Sequence, residues 1–303
     1  MAELIVYGIV LGSIITLGAI GLSLVYGILR FAHFAHGDFM TLGAYCALLF
    51  SGLFAQAGVS SQPLGPFSFG FNLLLSFLPA VLLAAGVALG VDRFFYRRLR
   101  KLRLSPVLMA MASLAIAFVI RSIVYITWGP DFHFYVSGLR TSWDLPFGIK
   151  LRPDQVFILG VVVILVVSLH LFLGKTKIGK ALRATADNPD LARVSGINTD
   201  AMVAWTWTIG IVLASVAGIL LGIDAQVRPE MGWAFLIPLF AAVILGGIGS
   251  FYGALLGGLT IGIVQQVSTQ WLLPSYKPAV AFSILILMLL FRPRGLLGGR
   301  YGA

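Results

Sequence analysis

The chain has 303 residues, of which 59% are hydrophobic and only 11% charged, whereas an ordinary globular chain carries roughly 25% charged residues. That ratio argues against a soluble enzyme domain, and at about 20 apolar residues per crossing it supplies eight or nine membrane spans. The formal charge of +10 follows the membrane rather than a nucleic-acid stripe, which excludes nucleic acid as a partner, and the lone Cys46 excludes a disulfide framework or a multi-cysteine metal site.

The first apolar run, Leu4 to Leu29, has no Lys or Arg before Arg30. It therefore lacks the basic start of a cleavable signal peptide and is expected to stay in the mature protein. The uncharged start bearing Glu3 suggests an outside N-terminus. Eight further runs follow: Phe39 to Phe54, Phe69 to Val91, Pro106 to Trp128, Val156 to Leu173, Met202 to Ile223, Trp233 to Ile248, Phe251 to Trp271 and Pro278 to Phe291. The last is short for a span, and a kink at Pro278 would let it extend back through Leu272 and Leu273. The expectation is an all-α polytopic membrane protein, a single domain over residues 1–303, with eight or nine transmembrane helices, some broken or re-entrant.

Basic residues gather in three places: Arg93 to Arg103, Lys175 to Ala201, and after the last run at Arg292, Arg294 and Arg300. Lys and Arg concentrate on the cytoplasmic side of membrane proteins, so these segments and the C-terminus are expected inside. The stretches Gln56 to Ser68, Gly129 to Asp154 and Asp224 to Gly232 then fall outside, where acidic and basic residues nearly balance.

Between the first two runs lies Arg30-Phe31-Ala32-His33-Phe34-Ala35-His36-Gly37-Asp38. Ionisable groups at membrane depth are costly and face a cavity or one another. His33, His36 and Asp38 make a conceivable three-ligand metal set, but Gly37 is expected to break the helix between them, and no base or second motif accompanies them. The other readings are a broken helix lining a translocation path and a plain interfacial loop.

Gly174-Lys175-Thr176 resembles the tail of a phosphate-binding loop, but the pattern requires glycine where this chain has Leu169, and the surroundings are apolar helix. No other nucleotide signature is present, so any use of ATP with Mg must come from a partner. Further on, Asn188 can cap a helix that starts with Pro189 and carries Asp190 in its first turn, and Gly196 supplies a left-handed stop. A short helix from Pro189 to Ser195 is expected, with Leu191, Val194 and Ser195 on one side and Asp190 and Arg193 on another. It either docks into a partner's groove or floats among lipid headgroups. In the glycine run Gly246 to Gly262, Gly249, Gly253 and Gly257 recur every four residues, which suits close helix packing or, alternatively, a substrate-lining face.

Three motifs in order carry a family resemblance: Phe34 to Asp38, the run Gly179 to Ala186 with Ala192-Arg193 and Gly196 to Asn198, and Leu245 to Ser250. Together they resemble the LivH-type permease subunits of bacterial branched-chain amino-acid ABC importers, with His33 standing where that family usually has asparagine. The resemblance implies a multi-pass protein of the bacterial inner membrane that is not itself an enzyme, binds no cofactor, and pairs with a second, related permease. It also implies two cytoplasmic ATPase subunits that hold ATP and Mg, and a soluble binding protein that delivers substrate from outside. It makes 175–201 the cytoplasmic coupling loop, with Asn188, Pro189, Asp190, Leu191, Ala192, Arg193 and Gly196 as its coupling residues. Phe34, His36, Gly37, Asp38, Gly246, Gly247 and Gly249 become candidates for the substrate path. Relatives of this fold group also serve urea, short amides and other amino acids. The competing class is a stand-alone ion- or proton-coupled carrier or channel using His33, His36, Asp38 and Arg121 as its path.

Overall fold

The computed structural model describes residues 1–136, 142–145 and 149–297. Arg140, Arg300 and the rest of the C-terminal tail lie outside the described residues. Each of the nine apolar runs is helical: α1 (Ala2–Leu29), α2 (His36–Gln56), α3 (Phe71–Val91), α5 (Pro106–Trp128), α6 (Pro153–Lys175), α9 (Thr199–Asp224), α10 (Met231–Gly246), α11 (Phe251–Ser268) and α12 (Lys277–Phe291). A wide π-helical turn (Asp92–Tyr96) joins α3 to α4 (Arg97–Lys101), while α7 (Lys177–Asp187) and α8 (Pro189–Val194) connect α6 to α9. Eight of the resulting helices are long and apolar enough to cross a bilayer, and α10 is the shorter ninth. The protein is an all-α, multi-pass membrane protein.

Burial sorts these helices into two layers. In the most apolar stretch of α9, 83% of residues are buried within the protein, and in α1 67%, against 17% for α6 and 6% for the last span. The first two therefore form the centre, and the last two present apolar faces to their surroundings, as lipid-facing helices do. The centre is tight because small residues meet backbone to backbone. Gly8 and Gly12 of α1 lie against Ile263 and Leu259 of α11, while Gly258 and Gly262 lie against Thr16 and Gly12. Gly253 and Gly257 of α11 likewise abut Gly246 and Ala242 of α10. Close packing thus accounts for the glycine run.

Two expectations about this part of the chain are corrected. Gly249 belongs to the turn before α11 rather than to a helix face. Leu272 and Leu273 are not drawn into the last span, because α11 stops at Ser268 and the chain re-enters helix through a single tight turn (Pro274–Tyr276). Pro278 sits in the first turn of α12, where its missing N–H costs nothing, so no kink is needed.

The described residues of all three basic segments lie at one end of the bundle. Arg97 pairs with Asp200 at 2.8 Å, Arg30 reaches the Ala186 and Asp187 carbonyls, and Gly295 packs on Gly247 beside the turn that touches Gly27. The hydrophilic stretch at the opposite end holds a small antiparallel hairpin, β1 (Trp143–Leu145) and β2 (Ile149–Leu151), with Asp144 opposite Lys150. His133 and Val227 exchange backbone hydrogen bonds there. Tyr135 donates to the Ala44 carbonyl at 2.7 Å, and its burial pushes the phenol well above its ordinary range.

Candidate functional site

Two helices begin inside the bundle rather than at its ends. The first is α2: α1 stops before Arg30, whose left-handed backbone (φ 57°, ψ 34°) turns the chain out of the helix. Residues 31–35 then run back without regular structure until α2 starts at His36. The backbone N–H of Phe34 donates to Ser113 Oγ at 2.9 Å, and that hydroxyl also meets the Ala32 carbonyl at 3.3 Å. Asp38 meets Arg121. Ser113 lies seven residues inside one end of α5 and Arg121 seven inside the other, about 10 Å from each end. The non-helical segment therefore lies at mid-depth, where its polar backbone is tolerated only because protein groups satisfy it.

The second break precedes α10. Its start packs directly on the start of α2: a Cβ at Gly232 would lie 1.7 Å from the Gly37 carbonyl oxygen, and one at Gly37 would lie 2.2 Å from that of Gly232. Only glycine at both positions allows this approach. Thr41 Oγ1 accepts from the Gly232 N–H at 3.0 Å, satisfying one of the free donors that open α10. From this junction α2 runs to the hairpin end, bringing Tyr45 to Trp128, and α10 runs to the basic end. Gly37 is thus a helical residue in the first turn of α2; the expected helix break lies before it, at Arg30 to Ala35.

At the junction, Arg121 Nε donates to Asp38 Oδ1 at 2.9 Å and one terminal nitrogen, Nη2, donates to Oδ2 at 3.1 Å. This is the bidentate geometry that makes arginine–carboxylate pairs strong. The guanidinium carbon also lies 4.6 Å from the Trp233 ring centre and 5.5 Å from that of Phe118, a favourable placement for a cation. The carboxylate is 1% exposed and the arginine side chain 13%.

His36 Nε2 lies 3.0 Å from the Gly18 carbonyl oxygen. His33 sits in an aromatic box of Phe31, Phe39, Tyr96 and Trp207, with the Trp207 ring 4.8 Å away edge-on. Both its ring nitrogens are without a hydrogen-bond partner among the described residues. Trp207 in turn donates to Asp92 at 2.7 Å, and Asp92 holds Arg100 at 2.6 Å; the π-helical turn at Asp92 aims that carboxylate inward. Asp38 is committed to Arg121, and no cluster of three metal-ligating side chains exists among the described residues. The metal set considered from the sequence is therefore not assembled.

Below Trp233 a groove of about 490 Å³ runs toward the basic end, lined by Leu22, Tyr26, Phe34, Trp233, Phe240 and Ile248 among others. Of the path candidates, Phe34 lines it, while Asp38 reaches its upper end through Arg121 and Trp233. His36 and Gly37 are buried behind it. Gly246 is buried against Gly253, and Gly247 and Gly249 form the turn at the basic end with φ of 102° and 82°.

The connecting segment at the basic end folds by local rules. Thr176 caps α7 through the Gly179 N–H, so Lys175 and Thr176 belong to helix ends and not to a phosphate loop. Asn188 Oδ1 accepts from the N–H groups of Asp190 and Leu191 at 3.1 and 3.0 Å, and Pro189 opens α8. Gly196, at φ 85°, closes it with Gly196 N–H to Arg193 and Ile197 N–H to Ala192, the paired bonds of a Schellman stop. Ala192 is buried beneath, whereas Leu191 is 63% and Val194 87% exposed. Asp190 and Arg193 lie 3.8 Å apart on the open surface.

Residues 4–289 match the family described as the branched-chain amino acid transport system / permease component. The chain belongs to this permease family. Curated relatives agree. The permease is 33% identical over 97% of its length to the high-affinity branched-chain amino acid transport system permease protein BraD of Pseudomonas aeruginosa, covering 94% of that protein. It is 33% identical to LivH of Escherichia coli strain K12, over 96% of this chain and 93% of that one. A probable LivH from Methanocaldococcus jannaschii is 30% identical over 96% of the permease and 90% of its own length. Among solved structures, PsaBC from Streptococcus pneumoniae in complex with Fab has the same fold, with a TM-score of 0.51 at 15% identity and coverage of 97% and 92% of the two chains.

Sequence reasoning missed Ser113, Thr41, Gly232 and Trp233 as members of the junction, and the Asp92–Trp207 contact entirely. Arg121 entered only through the alternative of an ion path. An arginine in the middle of an apolar run was the signal available, since such a charge requires a partner at its own depth, and Asp38 was the carboxylate flanked by apolar residues.

Proposed function

We propose that this permease is the membrane subunit of an ATP-driven importer for branched-chain and related hydrophobic amino acids. It works beside a second, related permease, two cytoplasmic ATPase subunits that bind ATP and Mg, and a binding protein that delivers substrate from outside. It sits in the bacterial inner membrane with its N-terminus outside and its basic end, including the C-terminus, in the cytoplasm. It carries out no chemistry and holds no cofactor of its own.

The observation that carries this reading is α8. A capped six-residue helix sits at the basic end and presents Leu191 and Val194 outward, which suits an apolar groove on a partner. Asn188, Pro189, Asp190, Leu191, Ala192, Arg193 and Gly196 are its coupling residues: Asn188, Pro189 and Gly196 shape it, Ala192 seats it, and the others face the ATPase. The relatives' names support the substrate class.

The test is reconstitution. Tagged permease is purified with its stoichiometric partners and placed in vesicles with ATP inside and binding protein plus radiolabelled leucine outside. ATP-dependent uptake is expected, as is its loss in Arg193→Glu with the protein still inserted. Leucine movement by the chain alone, down an imposed ion gradient, would replace this reading with that of a secondary carrier.

A further inference from the structure

The mid-depth junction has an open side. Arg121 spends Nε and Nη2 on Asp38, while its remaining terminal nitrogen, Nη1, has no hydrogen-bond partner among the described residues. The two rings beside the guanidinium are open to the surface: Phe118 is 54% and Trp233 40% exposed. One turn further toward the hairpin end, Tyr125 donates to Glu230 Oε1 at 2.7 Å, and Glu230 itself is exposed. Its second carboxylate oxygen has no partner among the described residues. This face of α5 and α10 therefore presents an unused guanidinium donor, an unused carboxylate oxygen and, below them, the apolar groove that starts at Trp233.

A partly open arginine seven residues inside α5 is expensive against lipid. The rest of the exposed surface of α5, with Met111, Val119 and Ile123, is as apolar as that of α6 and α12, with Val163, Ile164 and Leu290. Charged groups are confined to the seam where Arg121 and Tyr125 of α5 meet the start of α10, and that seam suits a polar path better than lipid.

We propose that this face is the amino-acid recognition site of the pathway. Nη1 of Arg121 receives the substrate carboxylate, the free oxygen of Glu230 receives the ammonium, and the groove below Trp233, with Phe34 and Phe240, takes the hydrophobic side chain. Asp38 acts as a positioning residue: it fixes the guanidinium plane and neutralises its charge, so that a zwitterion is held weakly enough to be released. With its plane fixed by Asp38 and the Trp233 ring, the guanidinium offers the substrate carboxylate a charge-assisted N–H donor. The proposal rests on the importer reading above and adds the residues that read the substrate.

The test exploits a property of buried ion pairs. Replacing both partners by apolar residues is often neutral for folding, whereas removing one is not. The complete complex carrying Asp38→Leu/Arg121→Leu is reconstituted with binding protein, and leucine uptake is measured alongside ATP hydrolysis stimulated by the loaded binding protein. Recognition predicts uptake reduced about tenfold or more with stimulated hydrolysis retained, a split that a structural role would not produce. Wild-type uptake in the double variant overturns the proposal. If that variant does not assemble, Glu230→Gln decides: its side chain is exposed, so a fall in leucine uptake supports the site and unchanged uptake overturns it. Failure of the wild-type complex itself to import leucine would instead overturn the importer reading.

Discussion

The α8 turn and the junction of α2 with α10 both interrupt the run of membrane helices, yet they are held by opposite means. Asn188 caps α8 through residues two and three positions away. The junction is closed by Phe34 with Ser113, Asp38 with Arg121 and Thr41 with Gly232, pairs separated by 79, 83 and 191 positions. The first is a self-contained knob on the surface, and the second exists only when three helices and the non-helical segment are assembled. A part proposed to meet another protein is built locally, whereas a part that must hold charge at membrane depth needs the bundle around it.

Substitutions can break this contrast, and the largest effect belongs at the junction. Asp38→Leu alone leaves Arg121 without its counter-charge and is expected to cost about 3–5 kcal/mol. The thermal midpoint of the purified complex should fall sharply, and an unchanged midpoint would show that the pair is not what closes the junction. Gly232→Ala forces a methyl into the Gly37 carbonyl and should cost about 1–3 kcal/mol as overpacking, visible as less monodisperse protein after detergent extraction.

The effects at α8 are smaller and stay local. Asn188→Ala should cost about 1 kcal/mol, and hydrogen exchange should quicken at the Asp190 and Leu191 amides while those of α2 are unmoved. Spread of that change to α2 would contradict the self-contained picture. The double change Leu191→Asp/Val194→Asp touches only exposed side chains and should alter stability by no more than about 0.5 kcal/mol. It should nevertheless abolish co-purification of the ATPase subunits, so intact association would place the docking surface elsewhere.

The same contrast governs what could be read from the sequence. All nine apolar runs are helices, eight of them long enough to cross a bilayer, because hydropathy and length are properties of the segment itself. Asn188, Pro189 and Gly196 announced α8 nearly to the residue, since caps and stops act on immediate neighbours. The break after Arg30 is visible as a polar interruption, but the sequence points to Gly37 as the breaker because glycine usually disrupts helices. Its actual role is to admit Gly232, and that requirement arises only from contact with a helix almost two hundred residues later. Thr41, Ser113 and Trp233 are ordinary residues of apolar helices until the fold brings unwound backbone or a guanidinium beside them. The glycine run was rightly read as packing, although its partners, α1 and α10, were not legible from spacing alone.

Arg30 carries one more consequence. It ends α1 and opens the non-helical segment, and its side chain holds the Ala186 and Asp187 carbonyls, each at 3.4 Å, immediately before the Asn188 cap. The surface knob and the mid-depth junction are therefore tied by one side chain and the non-helical segment from Arg30 to Ala35. A displacement of α8 would load those two bonds or the peptide that ends at His36, so this arginine puts the surface helix and the buried charge on one short covalent path.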